Sequence, residues 1–428
     1  MARAATRPTH QRWLVSLTDL ATAPGKEFLV QTWVREWAAA RGFSVTEDPA
    51  GNIFVRPSTR SRKRPIVAVA HMDHPAMVVT RPGKRPEVEL RGGVFPEYLA
   101  SPRVQVETGA GPRPGRLEQF DPSSNRGWLA TRRGSDSRAG DIVRWAFPAA
   151  ALGIRGDLLR ARACDDLAGA AAALSALDRV TAAGVNHFAV LLTRAEEVGF
   201  VGAIAACELK SLPTGARVLS IECSRQSPDA PVGGGPIVRV GDASSVFTSD
   251  LTNRVAETAR SAGVPYQRKL MAGGSCEATA FAALGYEATG LCLALDNYHN
   301  MVDIDAVRAG KRRARLAPET ISLKDFHGLV DLLAAVAVGL DSVKSNLPSD
   351  CAGCTPKRST SSPRTTPGEE KNQRRKSSEG RARPLPEIWR VSPGSHEICS
   401  DAPGIRDSCA KLRVERDSHT KFGVPILR

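Results

Sequence analysis

The chain has 428 residues, of which 42% are apolar, 24% charged and 5% aromatic, and its formal net charge is +14 at pH 7. That length and balance allow a sizeable buried core and exclude a collagen, a coiled coil and a small disulfide scaffold. Residues 341–428 hold 17 Lys and Arg against 11 Asp and Glu, or +6, which leaves +8 for residues 1–340; charge this diffuse makes no nucleic-acid footprint, and nucleic acid is not expected as a partner.

In chain order, residues 1–11 are basic but lead into no apolar core of secretory length and no small-residue cleavage site, so a cytoplasmic protein is expected. Residues 11–21 predict a helix. A second helix is predicted over 26–41, where Leu29, Val30, Trp33, Val34 and Trp37 share one face. Short apolar runs at 66–70, 188–193 and 218–222 read as strands, with alanine-rich helices at 168–180 and 199–209 between them. Such alternation predicts an α/β fold with a mostly parallel, mixed sheet and helices on both faces. From 78 to 163 the texture changes to Gly, Pro and Arg with short alternating strands at 87–90, 103–107, 128–131 and 142–145, a small β-rich insertion. The greasiest run, 329–340, is too short and too interrupted for a membrane span. Segment 357–384 is dominated by Ser, Thr, Pro, Lys, Arg and Glu, a composition that cannot bury enough surface to offset its ordering entropy. The expected division is a discontinuous α/β catalytic domain (1–78 plus 160–345), an inserted β-rich domain (79–159) and a disordered basic tail (346–428).

Nine cysteines are present, and Cys164, Cys207, Cys223, Cys276 and Cys292 sit in apolar segments where a reduced thiol behaves as a small hydrophobe. The pair Cys351 and Cys354 lies in the polar tail and is not read as a zinc knuckle. Cys276 is expected to be an inert buried thiol, and His74 and His187 to have structural roles.

The informative residues stand at predicted strand ends. The strand over 66–70 runs into His71, with Asp73 two residues on; Asp165 and Asp166 precede the helix at 168; Glu196 and Glu197 follow the strand over 188–193; Glu222 ends the strand over 218–222; His299 follows a strand over 288–295. Ligands bind at this edge of an open α/β sheet. Two imidazoles and several carboxylates there form the donor set of a two-metal hydrolytic site, suited to zinc, cobalt or manganese, with one carboxylate able to bridge ions roughly 3.5–4 Å apart. The doublet at 196 and 197 can supply one ligand and one general base.

Five stretches together resemble the family of glutamyl and tetrahedral (deblocking) aminopeptidases, including endoglucanase-M-like proteins, in the clan of co-catalytic zinc exopeptidases. They are Ala23-Pro24-Gly25 through Gly51-Asn52-Ile53; Ala70-His71-Met72-Asp73; Ala163-Cys164-Asp165-Asp166-Leu167-Ala168-Gly169; Ala195-Glu196-Glu197-Val198-Gly199 with Gly202-Ala203; and Tyr298-His299. The similarity spans about residues 14–340. It implies a phosphorylase/hydrolase-like zinc-peptidase core with a small inserted β-barrel-like domain, and two divalent metal ions per subunit, zinc first. Asp165 would bridge them with its carboxylate, its peptide bond to Asp166 being cis, with His71 and Glu222 completing one site and Glu197 and His299 the other. Glu196 would be the base that takes a proton from water, and Asp73 would orient His71. The implied reaction is removal of N-terminal residues from small peptides, and the implied assembly a homo-oligomer, smaller than the family's dodecamer because the insertion is short. The chain departs from the family at Leu167, in place of a basic residue; at Glu222, in place of aspartate; and at Gly273-Gly274-Ser275-Cys276-Glu277 and Asp296-Asn297. Those changes keep open a related deacylase or dipeptidase. The third alternative is an inactive binding protein with a basic tail.

Overall fold

The computed structural model describes residues 4–59, 61–131 and 136–343. The expectations for the tail, including Cys351 and Cys354, lie outside the described residues. In chain order the chain forms α1 (Arg7–Asp19), α2 (Phe28–Arg41), β1 (Ser44–Glu47), β2 (Ile53–Arg56), β3 (Ile66–His71), β4 (Ala76–Arg81), β5 (Glu87–Arg91), β6 (Arg103–Thr108), β7 (Gly111–Asp121), β8 (Arg126–Thr131) and β9 (Ile142–Trp145). It continues through β10 (Gly153–Arg155), β11 (Leu158–Ala161), α3 (Leu167–Ala182), β12 (Phe188–Thr193), α4 (Val201–Glu208), β13 (Arg217–Arg225), β14 (Ile237–Asp242), α5 (Ser249–Ser261) and β15 (Gln267–Met271). The last elements are α6 (Glu277–Ala283), β16 (Glu287–Leu295), α7 (Ile304–Arg308), β17 (Glu319–Ser322) and α8 (Leu323–Gly339).

The central sheet is mixed, in the order β1-β2-β12-β3-β13-β16-β14-β15, and its four middle strands are parallel to one another. The two-residue period of β3 sorts its side chains. Ile66, Ala68 and Ala70 join the larger core with α1, α2, α3, α5 and α8, whereas Val67 and Val69 face Ala203 and Ala206 of α4 and Phe281 of α6. Helices therefore cover both faces, as the run of wholly buried strand residues requires, and the α/β expectation is met. α3 is rich in alanine and leucine, and 13 of its 16 residues are buried, because it packs between β3, β12, α1 and α8.

Strands β4 to β9 close into an antiparallel barrel, in the order β4-β5-β8-β7-β6-β9, around Val79, Val88, Val104, Leu117, Leu129 and Trp145. β7 has no counterpart among the predicted strands. Pro112 and Pro114 lie in it opposite Glu107 and Gln105 of β6, and among the described residues its pairing with β8 runs from Gly115 to Asp121. β10, β11 and β17 form a separate small sheet beside the core.

Candidate metal centre

The parallel strands β3, β12, β13 and β16 bring their carboxyl ends to one edge, and every predicted site residue is there. His71 is the last residue of β3 and pairs in register with Thr193, the last of β12. The chain leaves β12 through Arg194 and Ala195, the latter left-handed at φ 51°, into a 3-10 turn at Glu196–Val198. Glu222 does not end its strand, as the sequence suggested, because β13 continues to Arg225. Pairing with β3 stops at Ser220, opposite Val69, and the same register carried two residues on sets Glu222 level with His71. His299 lies in a 3-10 turn after β16 and Asp165 in the loop before α3, with a cis bond to Asp166.

These side chains form two groups that share Asp165. His71 Nε2 stands 3.5 Å from Asp165 Oδ1 and 3.9 Å from an oxygen of Glu196 and of Glu222. His299 Nε2 stands 3.5 Å from Asp165 Oδ2 and 3.0 Å from Glu197 Oε1. The two oxygens of Asp165 thus face different imidazoles. Donor atoms of His71, Glu196 and Glu222 lie within 4.8 Å of one another, as do those of Asp165, Glu197 and His299. All are buried or nearly so, yet Glu197 Oε1, Glu222 Oε1 and His299 Nε2 have no hydrogen-bond partner. Buried polar atoms are normally satisfied, so converging orphans of this chemistry, imidazole nitrogen and carboxylate oxygen, fit the donor set of a divalent-cation site. A third group, Asp165, Asp166 and Cys223, is also close. There the Cys223 thiol, pushed up by burial and by Asp166, donates to Cys164 O and Asp166 Oδ1.

A second layer holds these groups, and sequence reasoning found only part of it. Asp73 accepts from the backbone N–H of Glu196 and of Glu197, each at 3.0 Å, and the His71 ring meets its carbonyl at 3.1 Å through Nδ1. Glu319, unmarked in the sequence, accepts from the N–H of Cys164 (2.6 Å), Asp165 (3.1 Å) and His299 (2.9 Å). His74 bonds through Nδ1 to the Asp165 carbonyl at 2.6 Å, a positioning role in keeping with the structural reading. His299 Nδ1 meets the Gly93 carbonyl at 2.6 Å, so the barrel side of the molecule orients one imidazole and leaves its Nε2 toward the carboxylates. Glu27, also missed, accepts from Gly25 N, Arg194 Nε and Ala195 N. Gly169 is required by crowding, since a Cβ there would stand 2.2 Å from Asp166 Oδ1.

Electrostatics follow from this crowding. Burial pushes the Glu196 carboxyl well up and the Glu222 carboxyl up to about 8, their neighbouring acids adding to it. For His71, burial opposes protonation, but Glu196, Asp165 and Asp73 outweigh it and hold the imidazole well above its ordinary value; Glu197 and Asp165 do the same for His299. Asp165 is held down, against burial, by the two histidines. Cys276 is buried and its thiol is pushed well up, as an inert thiol should be.

The site opens into a cleft of about 890 Å³, lined by His71, Asp165, Glu196, Glu197, Glu222 and His299 on the sheet edge and by Gly93 and Phe95 opposite. The description M42 glutamyl aminopeptidase fits the family model that matches residues 137–313. A protein of Acetivibrio thermocellus, whose own aminopeptidase assignment is provisional, is 24% identical over 336 residues, 75% of this chain and 96% of that protein. Among solved structures, a TET aminopeptidase from a marine sediment thaumarchaeote is similar at TM-score 0.64 and 19% identity, over 78% of this chain and 97% of that one. A TET peptidase of Pyrococcus horikoshii, described as able to assemble into a tetrahedron or a large octahedral shell, is similar at TM-score 0.62 and 20% identity, over 78% and 99%. The solved structures share the fold, and the family match over residues 137–313, together with the aminopeptidase-named relative, supports a peptidase as the class of enzyme.

Proposed function

We propose that the protein is a metal-dependent aminopeptidase, with His71, Asp165 and Glu222 holding one divalent cation and His299, Asp165 and Glu197 the other. The observation that carries this reading is the set of buried, unpartnered donor atoms of Glu197, Glu222 and His299, which converge from β12, β13 and β16 around a shared Asp165. Two such cations would supply Lewis acidity for a peptide carbonyl and for a nucleophilic water. The chain's own groups do the rest. Glu196, whose carboxyl burial pushes well up, is suited to take a proton from water and return it to the leaving amine. Geometry alone groups Glu196 with His71 and Glu222, so its assignment as base rests on the resemblance and on its basicity. Asp73 holds the N–H groups of Glu196 and Glu197 and so fixes base and ligand relative to His71. Zinc is the first choice of metal, by the mixed imidazole and carboxylate donors. Small peptides with a free amino terminus are the substrates, and self-association is proposed from the assembled relatives.

The test is metal content and hydrolysis of unblocked aminoacyl amides for the wild type and for Glu196→Gln. The expected result is two equivalents of metal in both, with kcat lower by about 10²–10⁴ in the variant. A wild type that neither binds zinc, cobalt or manganese nor cleaves such amides refutes the reading.

A further inference from the structure

Between His299 and Glu319 the chain makes an excursion over 302–315 whose ends are tied together. Val302 N donates to Arg315 O at 3.1 Å, Met301 pairs with Leu316, and Ala317 N donates to Asn300 O at 2.9 Å. Both feet of the loop therefore stand beside site residues. Inside it, Ile304 and Val307 of α7 pack with Met301 and Tyr98, and the Tyr98 hydroxyl donates to Val302 O at 2.5 Å. Gly310, at φ 68°, reverses the chain.

The exposed side of this anchored loop is cationic. Arg308, Lys311, Arg312, Arg313 and Arg315 are all exposed. Arg308 stands 4.7 Å from the centroid of the Phe95 ring, and both line the cleft, so one guanidinium is fixed at the cleft mouth. Arg312 pairs with Asp303, and Asp305 is engaged by Arg225. Among the described residues, Lys311, Arg313 and Arg315 have no ion-pair partner. Cations left unpaired on a tethered loop beside a concave site raise the local concentration of anionic ligands.

We propose that loop 302–315 is a docking surface for the acidic part of peptide substrates, downstream of the bond that is cleaved. The proposal rests on the aminopeptidase reading for its substrate class. The span from Lys311 to Arg315 is at most roughly 14 Å, the length of about four extended peptide residues, and it follows Arg308, which lines the cleft, by three residues. The rest of the positive charge is diffuse and supplies no long stripe for a phosphate backbone, which favours an acidic peptide over a nucleic acid.

The experiment uses the metal-loaded full chain and compares Leu-Gly-Gly-Asp-Asp-Asp-Asp with its tetra-asparagine counterpart, with leucinamide, too short to reach the loop, as reference. At an ionic strength of about 0.02 M the acidic peptide is expected to have a kcat/KM roughly tenfold above the neutral one, falling toward parity at about 0.5 M. Lys311→Glu, Arg313→Glu and Arg315→Glu together should invert that preference relative to leucinamide; if this protein does not fold, the corresponding Gln variants should abolish it. Parity in the wild type at low salt, or an unchanged preference in the variants, overturns the proposal. If no substrate is cleaved, the aminopeptidase reading has failed by itself, and the loop is then read by fluorescence anisotropy of labelled tetra-aspartate. Salt-sensitive binding lost in the variants supports docking, and absent binding overturns it. A single-stranded oligonucleotide bound through these residues more tightly than the acidic peptide also overturns it.

Discussion

At the scale of single residues, the most consequential group that sequence did not single out is Glu319. Its carboxylate takes three backbone N–H groups, from Cys164, Asp165 and His299, and so joins the loop of the shared ligand to the turn of a histidine ligand. Glu319 is fully buried, and burial pushes its carboxyl up to about 7. Glu319→Gln places an NH₂ group against N–H donors and leaves at least one of them unanswered. The expected cost is about 1–3 kcal/mol in urea unfolding, and metal affinity should fall about 10- to 100-fold in equilibrium dialysis. A variant that binds metal as the wild type does would show that the Asp165 loop and the His299 turn hold themselves. Glu222 makes the complementary point. One methylene longer than aspartate, it still converges because β13 has outrun its pairing with β3.

At the scale of elements, the turn after β12 carries both glutamates and is fixed from outside itself. Glu27, just before α2, takes the N–H of Ala195 and the Arg194 guanidinium; Asn52 Oδ1 takes the N–H of Arg194; and Gly202 passes so close that a Cβ would stand 2.5 Å from Arg194 N and O. Ala195 and Phe200 are both left-handed, a conformation that side chains other than glycine adopt at a cost, so these outside contacts matter. Glu27→Ala is expected to lower kcat on aminoacyl amides at least about tenfold, with a loss of about 1–3 kcal/mol in stability. Unchanged kcat in a stably folded variant would show that the turn keeps its shape without Glu27. This also explains what was legible in the sequence. His71, Glu196, Glu197, Glu222 and His299 sit in or soon after an apolar run and Asp165 just before one, so a local pattern points to them. Glu27, Gly93 and Glu319 act on residues 168, 206 and 154 positions away, and no local pattern encodes such a pairing. The four middle strands of the sheet, β12, β3, β13 and β16, were legible from their apolar runs, whereas β1, β2, β14 and β15 were not. Nor was β7, because its first four residues, Gly111, Pro112, Arg113 and Pro114, are of types depleted in strands or without apolar alternation, and their pairing with β6 is set by the barrel.

At the scale of the whole molecule, acid sensitivity is separable from the metal edge. His10 on α1 is 3% exposed, with both ring nitrogens lacking hydrogen-bond partners, and burial holds its imidazole down to about 4 against an ordinary 6.5. His187, just before β12 at the end of the sheet away from the metal edge, and His327 on α8 are lowered in the same sense, again by burial. A base whose folded value is depressed leaves the unfolded chain binding more protons between the two values. Stability is then full above about 6.5 and falls as the pH drops toward 4. For His10 alone the linkage gives a loss of about 2 kcal/mol between pH 8 and pH 5. His10→Phe keeps a ring beside Trp13, whose centroid lies 5.4 Å away, and removes the titration. Urea unfolding of metal-free protein, which takes the ligand histidines' metal affinity out of the comparison, should give the variant an advantage that grows by about 2 kcal/mol as the pH is lowered from 8 to 5. Parallel pH profiles for the two proteins would mean that His10 titrates alike folded and unfolded, and that the helical layer over the sheet admits water where it packs dry.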